Sequence, residues 1–174
     1  GQSVVSLMGG MGREFDGGYA EYVLLPNSQI YPVTTSLDWA ALAAVPETYY
    51  TAYGIYRSLQ LQPHDRVLIR AVTSGVGVAV LKLMLASGLD LAITGTTRSA
   101  HKDAALHALG LATIVHTPDG NHLPAGVAAF DKVVDLVGPS AMRDSPAHVA
   151  EVGVPNVTGA LRGAWPVPAF DPLP

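Results

Sequence analysis

A chain of 174 residues that is 49% hydrophobic and only 14% charged is long enough for one substantial core and too apolar to be disordered. Its net charge of -4 comes with no basic stripe, which argues against a nucleic-acid surface, and the lack of cysteine excludes disulfides and thiolate zinc sites. No apolar run is long enough to span a membrane and the six histidines form no i, i+4 ligand pair, so the chain reads as soluble and cytoplasmic, without a metal.

The first 33 residues are turn-rich. Val4 and Val5 open an apolar run, GGMGREFDGG holds too much glycine for a helix, and YAEYVLLP alternates as a β-strand leaving an Asp-Gly-Gly turn would. From Ser36 the pattern turns helical. Ser36 is the expected cap of a helix holding Leu37, Trp39, Ala40, Ala43 and Ala44, which Pro46 stops. A second helix is expected from Glu47 to Leu59, with Tyr49, Tyr53 and Tyr56 on one face, a stripe whose plain reading is core packing.

Gln62 to Asp65 form a polar turn into the stretch that organises the chain, RVLIRAVTSGVGVAVLKLMLASG, residues 66–88. A β-branched run, Val67 to Ile69, meets a cluster of small residues, and a helical pattern then continues to Ser87, ended by Gly88. That is a buried strand, a tight turn and a helix packed back on the sheet. Such a turn suits an anion, because small residues let the backbone pass close to a ligand and the first amides of the helix point at it. Against the dinucleotide pattern G-x-G-x-x-G, Ala71 and Ser74 stand where glycine is wanted, and the turn alone reads equally well as a helix cap.

Further elements alternate: a strand from Leu91 to Thr94, a helix from Ala100 to Leu109, a strand from Thr113 to His116 and a polar passage from Thr117 to Gly126. A strand from Lys132 to Val137, a helix from Ser140 to Ala150 and a strand from Val152 to Thr158 follow. Pro155 costs the last strand a ladder bond, which puts it at an edge or a bulge. The alternation predicts right-handed crossovers and an α/β fold with a doubly wound parallel sheet.

In such a sheet the ligand lies over the carboxyl ends of the strands, where the strand order reverses. This gathers Ala71 to Gly77, Gly95 to Ser99, His116, Thr117, Val137, Gly138, Thr158 and Gly159 around one crevice. The end of the second strand, GTTRS, offers no carboxylate for ribose hydroxyls; beside Thr97 it offers Arg98, Ser99 and, one turn on, Lys102, which can hold a 2′-phosphate. That favours NADP(H) over NAD(H). The plain alternative is that Arg98 and Lys102 are solvated charges at a helix start, where the dipole disfavours them. A serine-hydrolase reading fails, because the context of Ser74 lacks the first glycine of a G-x-S-x-G elbow.

Six segments in this order resemble the medium-chain dehydrogenase/reductase superfamily, in its zinc-independent quinone oxidoreductase branch. They are FDGGYAEYVLLP (15–26), AALAAVPETYYTAYGIY (40–56), the VLIRAVTSGVG turn, TTRSAHKDAALHALG (96–110), FDKVVDLVG (130–138) and TGALRGAW (158–165). The resemblance implies that residues 1–33 are the last part of a GroES-like substrate domain and residues 34–174 an NADP-binding Rossmann domain, with more sequence expected on both sides. It implies a pyrophosphate loop at Ser74, Gly75, Val76 and Gly77, a carboxamide-facing Thr51, and nicotinamide-lining strand ends at Val137, Gly138, Thr158 and Gly159. Arg98 and Lys102 match the cassette that reads the adenosine phosphate. Thr117 stands where some members have tyrosine, and Glu47, which matches a metal ligand of zinc-dependent relatives, reads here as a helix-start acid. The implied reaction is hydride transfer from NADPH to a quinone or α,β-unsaturated carbonyl, a small-molecule electrophile, with Tyr49 and Tyr50 as candidates for the substrate side. A homodimer through the sheet edge is implied too. The alternative reading is a catalytically silent nucleotide-binding or dimerisation module.

Overall fold

Residues 1–160 are described by the computed structural model. The chain divides into one unit ending at Tyr50 and another starting at Thr51. This division follows backbone proximity, whereas the 33/34 junction expected from sequence marks a change of hydrophobic pattern.

In the first unit, β1 (Val4–Val5) and β2 (Tyr31–Pro32) form a two-stranded antiparallel ribbon. The alternating YAEYVLLP segment is not a strand: residues 19–26 find no partner to pair with among the described residues, and Tyr19, Tyr22 and Leu24 stand exposed. Alternation creates a face, but a strand also needs a neighbouring ladder. Helix α1 (Trp39–Ala43) is capped by Asp38, whose Oδ1 accepts the Ala41 amide at 2.8 Å, and not by Ser36. Helix α2 (Pro46–Leu59), of which residues from Thr51 on belong to the second unit, starts at the proline expected to end its predecessor, because the first turn of a helix has no use for that missing N–H. Glu47 lies in this first turn and its Oε2 accepts the Met8 amide at 3.0 Å, in keeping with a helix-start acid. The tyrosine stripe is not core. Ala52, Ile55 and Leu59 are the buried side of α2, while Tyr53 is about half exposed, stacks on Tyr56 and carries the Arg57 guanidinium over its ring.

The second unit is a Rossmann-like α/β fold. Its strands are β3 (Arg66–Arg70), β4 (Ala92–Thr97), β5 (Thr113–His116), β6 (Phe130–Asp135) and β7 (Val149–Val157). All are parallel, in the order β5-β4-β3-β6-β7, so the chain winds outward one way and then returns to the far side of β3. The wholly apolar centre of β3, Val67, Leu68 and Ile69, is fully buried, as a strand covered on both faces must be. Helix α3 (Gly75–Ala86) buries Ala79, Val80, Leu81 and Met84. On the other side Leu68 packs with Leu123, Phe130 and Val133.

Three expectations need correction. Strand β6 stops at Asp135, not at Val137, because the Asp135 carboxylate takes the Val137 and Gly138 amides out of the ladder. No α-helix forms over Ser140 to Ala150; two 3-10 turns, Pro139–Ala141 and Pro146–His148, stand there. Pro146 has no amide to continue a helix, and the break at Ser145 lets its hydroxyl turn inward. The expected helix from Ala100 is shorter than predicted, a 3-10 turn (Ala100–Lys102) followed by α4 (Asp103–Ala108). Strand β7 is the sheet edge and has a register shift against β6 between Phe130 and Lys132, as Pro155 foretells.

Candidate functional site

The turn after β3 is built around a non-glycine residue in a glycine conformation. Ala71 has φ +56°, held by its amide donating to Thr96 Oγ1 at 3.0 Å while the Val72 amide donates to the Thr96 carbonyl at 3.1 Å. Ser74, the second departure from glycine, is the N-cap of α3: its Oγ accepts the Gly77 amide at 3.1 Å. The Val78 amide makes the first full helical bond, to the Ser74 carbonyl, which leaves the amides of Gly75 and Val76 without a partner inside the helix. A methyl group on Gly75 would meet nothing within 4 Å, so the space before this first turn is open. On Gly77 the same group would lie 2.7 Å from the Ala71 and Val72 carbonyl oxygens, so this glycine lets α3 sit directly on the strand end.

A cavity of about 320 Å³ lies over the carboxyl ends of β3, β4 and β6, where Ser74, Thr97, Arg98, Lys102, Thr117 and Val137 meet. A second, of about 250 Å³, shares Thr97, Arg98 and Lys102 and adds Ser99 and His101. Arg98 and Lys102 are exposed, and among the described residues neither side chain has a hydrogen-bond or ion-pair partner. No carboxylate lines either cavity. The nearby Asp103 is engaged elsewhere, by His116 Nε2 at 3.0 Å. A larger hollow of about 1450 Å³ in the first unit is bordered by residues between Gly12 and Pro26, with Asp16 as its one Asp, Glu, Lys or Arg side chain, and offers no comparable grouping.

At the other end of the crevice the backbone is drawn together by close packing. Gly138 has φ +98°, and a methyl group on it would lie 2.6 Å from the Gly159 carbonyl oxygen; one on Gly159 would lie 2.5 Å from the Gly138 nitrogen. Both positions require glycine. Each chain segment is bonded to Asp135, which is fully buried. Its Oδ1 accepts the amides of Val137 (2.8 Å) and Gly138 (3.0 Å), and its carbonyl oxygen accepts those of Thr158 and Gly159, both at 2.9 Å.

The structure thus brings Ser74, Thr97, Arg98, Ser99, Lys102 and Val137 to adjoining cavities, with Gly75, Val76 and Gly77 on the helix turn next to Ser74. Gly138, Thr158 and Gly159 meet through Asp135. Thr51 is half-buried in α2 and lines neither cavity; Tyr49 and Tyr50 belong to the first unit. Residues 161–165 of the TGALRGAW segment lie outside the described residues. Sequence reasoning missed Gly120 and Leu136 on the cavity wall and Asp135 beneath it, while Thr73 and Thr96 fall within the stretches it gathered there. Only Asp135 left a signal, as an acid that follows Val133-Val134 and stands just before Leu-Val-Gly.

The open first turn of α3, its two free amides and the unpaired cations fit a phosphorylated dinucleotide. Among the described residues no group of three or more His, Asp or Glu is set to hold a metal ion, and no helix is long and apolar enough to cross a membrane.

No family model matches the chain. The quinone oxidoreductase of Homo sapiens is 33% identical over 87 residues, which are 49% of this chain and 26% of that protein. The structure of an NAD-dependent alcohol dehydrogenase aligns with TM-score 0.73 and 31% identity over 88% of this chain and 46% of that one. The yhdH oxidoreductase from Salmonella enterica in complex with NADP aligns with TM-score 0.78 over 91% of this chain and 50% of that one; at 19% identity the likeness is one of fold. The chain matches about a quarter of the human protein's length and spans half or less of these solved structures.

Proposed function

We propose that this chain, which belongs to the medium-chain dehydrogenase/reductase superfamily and is quinone oxidoreductase-like, is the cofactor-binding part of an oxidoreductase that reduces a quinone or an α,β-unsaturated carbonyl with NADPH. The observation that carries the choice of cofactor is the pair Arg98 and Lys102, unpartnered beside cavities that no carboxylate lines. When bound, NADPH supplies the hydride and its electrons. The chain's own residues bind and orient. The free amides of Gly75 and Val76 and the dipole of α3 take the pyrophosphate; Arg98, Lys102 and Ser99 take the 2′-phosphate; Val137, Gly138, Thr158 and Gly159 wall the nicotinamide and keep water from it. In this reading the first 33 residues end a GroES-like domain, zinc has no role, the protein is cytoplasmic, and two copies pair along the open side of β7.

Titration of the 174-residue chain with NADPH and NADH tests the reading. NADPH binds more tightly, and Arg98→Ala removes most of that preference; equal affinities before mutation would sink it. A second reading, a catalytically silent nucleotide-binding module, is favoured by one observation: the ionisable side chains of the 320 Å³ cavity are Arg98 and Lys102, both cations, with no acid among them. Binding of NADPH with little or no quinone or enone turnover supports silence of this piece, and robust turnover overturns it.

A further inference from the structure

We infer that Asp135, held by Ser145 and Arg70, is the positioning residue that shapes the nicotinamide end of the crevice and leaves the phosphate end alone. The inference rests on the cofactor reading above. Asp135 and Arg70 close two adjacent strands in register, β6 and β3, and both are fully buried. Two carboxylate oxygens and one carbonyl of Asp135 carry the load. Oδ1 and the carbonyl bind four amides in two separate chain segments, Val137–Gly138 and Thr158–Gly159. Oδ2 accepts the Ser145 hydroxyl at 2.5 Å.

Ser145 is placed in turn. Its Oγ accepts from Arg70 Nη1 at 2.7 Å, and the same nitrogen donates to Asp144 Oδ2 at 2.8 Å. Arg70 Nη2 donates to the Asn121 carbonyl at 2.7 Å, tying in the loop that follows β5. In this row the Ser145 hydroxyl accepts from Arg70 on one side and faces Asp135 on the other, so its proton points to Oδ2 and Oδ1 is left to the amides. A carboxylate fixed at both oxygens cannot rotate, and the Val137 and Gly138 amides cannot drift with it. Arg70, Ser145, Asp135 and Asp144 do not line the cavity of Arg98 and Lys102, which Val137 reaches from this cluster, and the backbone on the cation side is held instead by Thr96, Thr97 and Ser74.

The structure therefore separates two kinds of contribution. Loosening Asp135 should weaken binding of whatever reaches past the pyrophosphate, and spare the adenosine end. Ser145→Ala and Asp135→Asn test this in the 174-residue chain, with NADPH and adenosine 2′,5′-bisphosphate, which lacks the nicotinamide, as the two probes. Each variant is expected to bind NADPH about fivefold more weakly, the scale of one lost hydrogen bond, while bisphosphate affinity stays within about twofold. Faster amide hydrogen exchange at Val137 and Gly138 should accompany the loss. Ser145→Ala leaves the charge in place, and it decides the matter if Asp135→Asn fails to fold. Equal weakening of both probes, or no weakening of either, overturns the assignment while leaving the cofactor reading intact. A wild-type chain that binds neither probe overturns both.

Discussion

The two ends of the crevice are made from opposite materials. At one, Arg98 and Lys102 stand exposed and, among the described residues, unpartnered; at the other, Asp135 and Arg70 are fully buried and Asp135 is bonded at every oxygen. The first end can recognise only through charge, at long range and through water, while the second fixes the course of the backbone and has no free charge to offer. Selectivity for a phosphate and precision of a ring position are thus served by separate residues that share no hydrogen bond.

The comparison breaks most completely at Arg70. Arg70→Leu strips Asp144 of its guanidinium partner and Ser145 of its donor, and unfolding in urea should show a loss of about 3–5 kcal/mol, the cost of removing one partner from a buried ion pair. A smaller effect should appear at the exposed end: raising salt from about 0.05 to 0.5 M should weaken NADPH binding by roughly tenfold and NADH binding far less, since only the former uses screened charges. Salt sensitivity that is the same for both cofactors would erase the distinction. Between the two ends lies Ala71, in a left-handed conformation that glycine adopts freely. Ala71→Gly should raise the urea midpoint, a gain of about 0.5–1 kcal/mol after the added freedom of the unfolded chain is counted. The smallest effect belongs far from the crevice, at the amino ends of β3 and β6. There the hydrogen-bonded Arg66 guanidinium holds the Asp131 carboxyl down to about 2, against an ordinary 3.8. A carboxylate whose folded value is depressed stabilises above its unfolded value and loses that contribution as pH falls from about 4 to 2. Asp131→Asn should flatten this acid limb slightly, since the pair is solvent-screened, and leave cofactor affinity unchanged.

Much of this fold is written in local pattern. The β-branched run before the small-residue turn, the apolar helix behind it and Thr113 to His116 are where periodicity puts them. What was illegible depends on partners distant in sequence. YAEYVLLP carries the alternation of a strand without a ladder to join, Tyr53 is spaced for a core it does not enter, and Ser145 breaks a helix in order to bond Asp135. The candidate site divides in the same way. Arg98 and Lys102 stand out because the strand end GTTRS offers cations where a carboxylate would hold ribose hydroxyls. Asp135 does not, because nothing local says that four amides in two segments converge on one aspartate.

Strand β3 is the centre of the sheet, yet it precedes every strand beside it. Its partner on one side, β6, begins about 60 residues later, as the Arg66 to Asp131 separation of 65 shows. At about 5–20 residues per second of synthesis, one flank of the most apolar strand stays open for roughly 3–13 s before its neighbour exists. During that interval a nascent chain carries an unpaired hydrophobic edge, so slower translation or loss of chaperone cover should cost yield before any change in the finished protein could be detected.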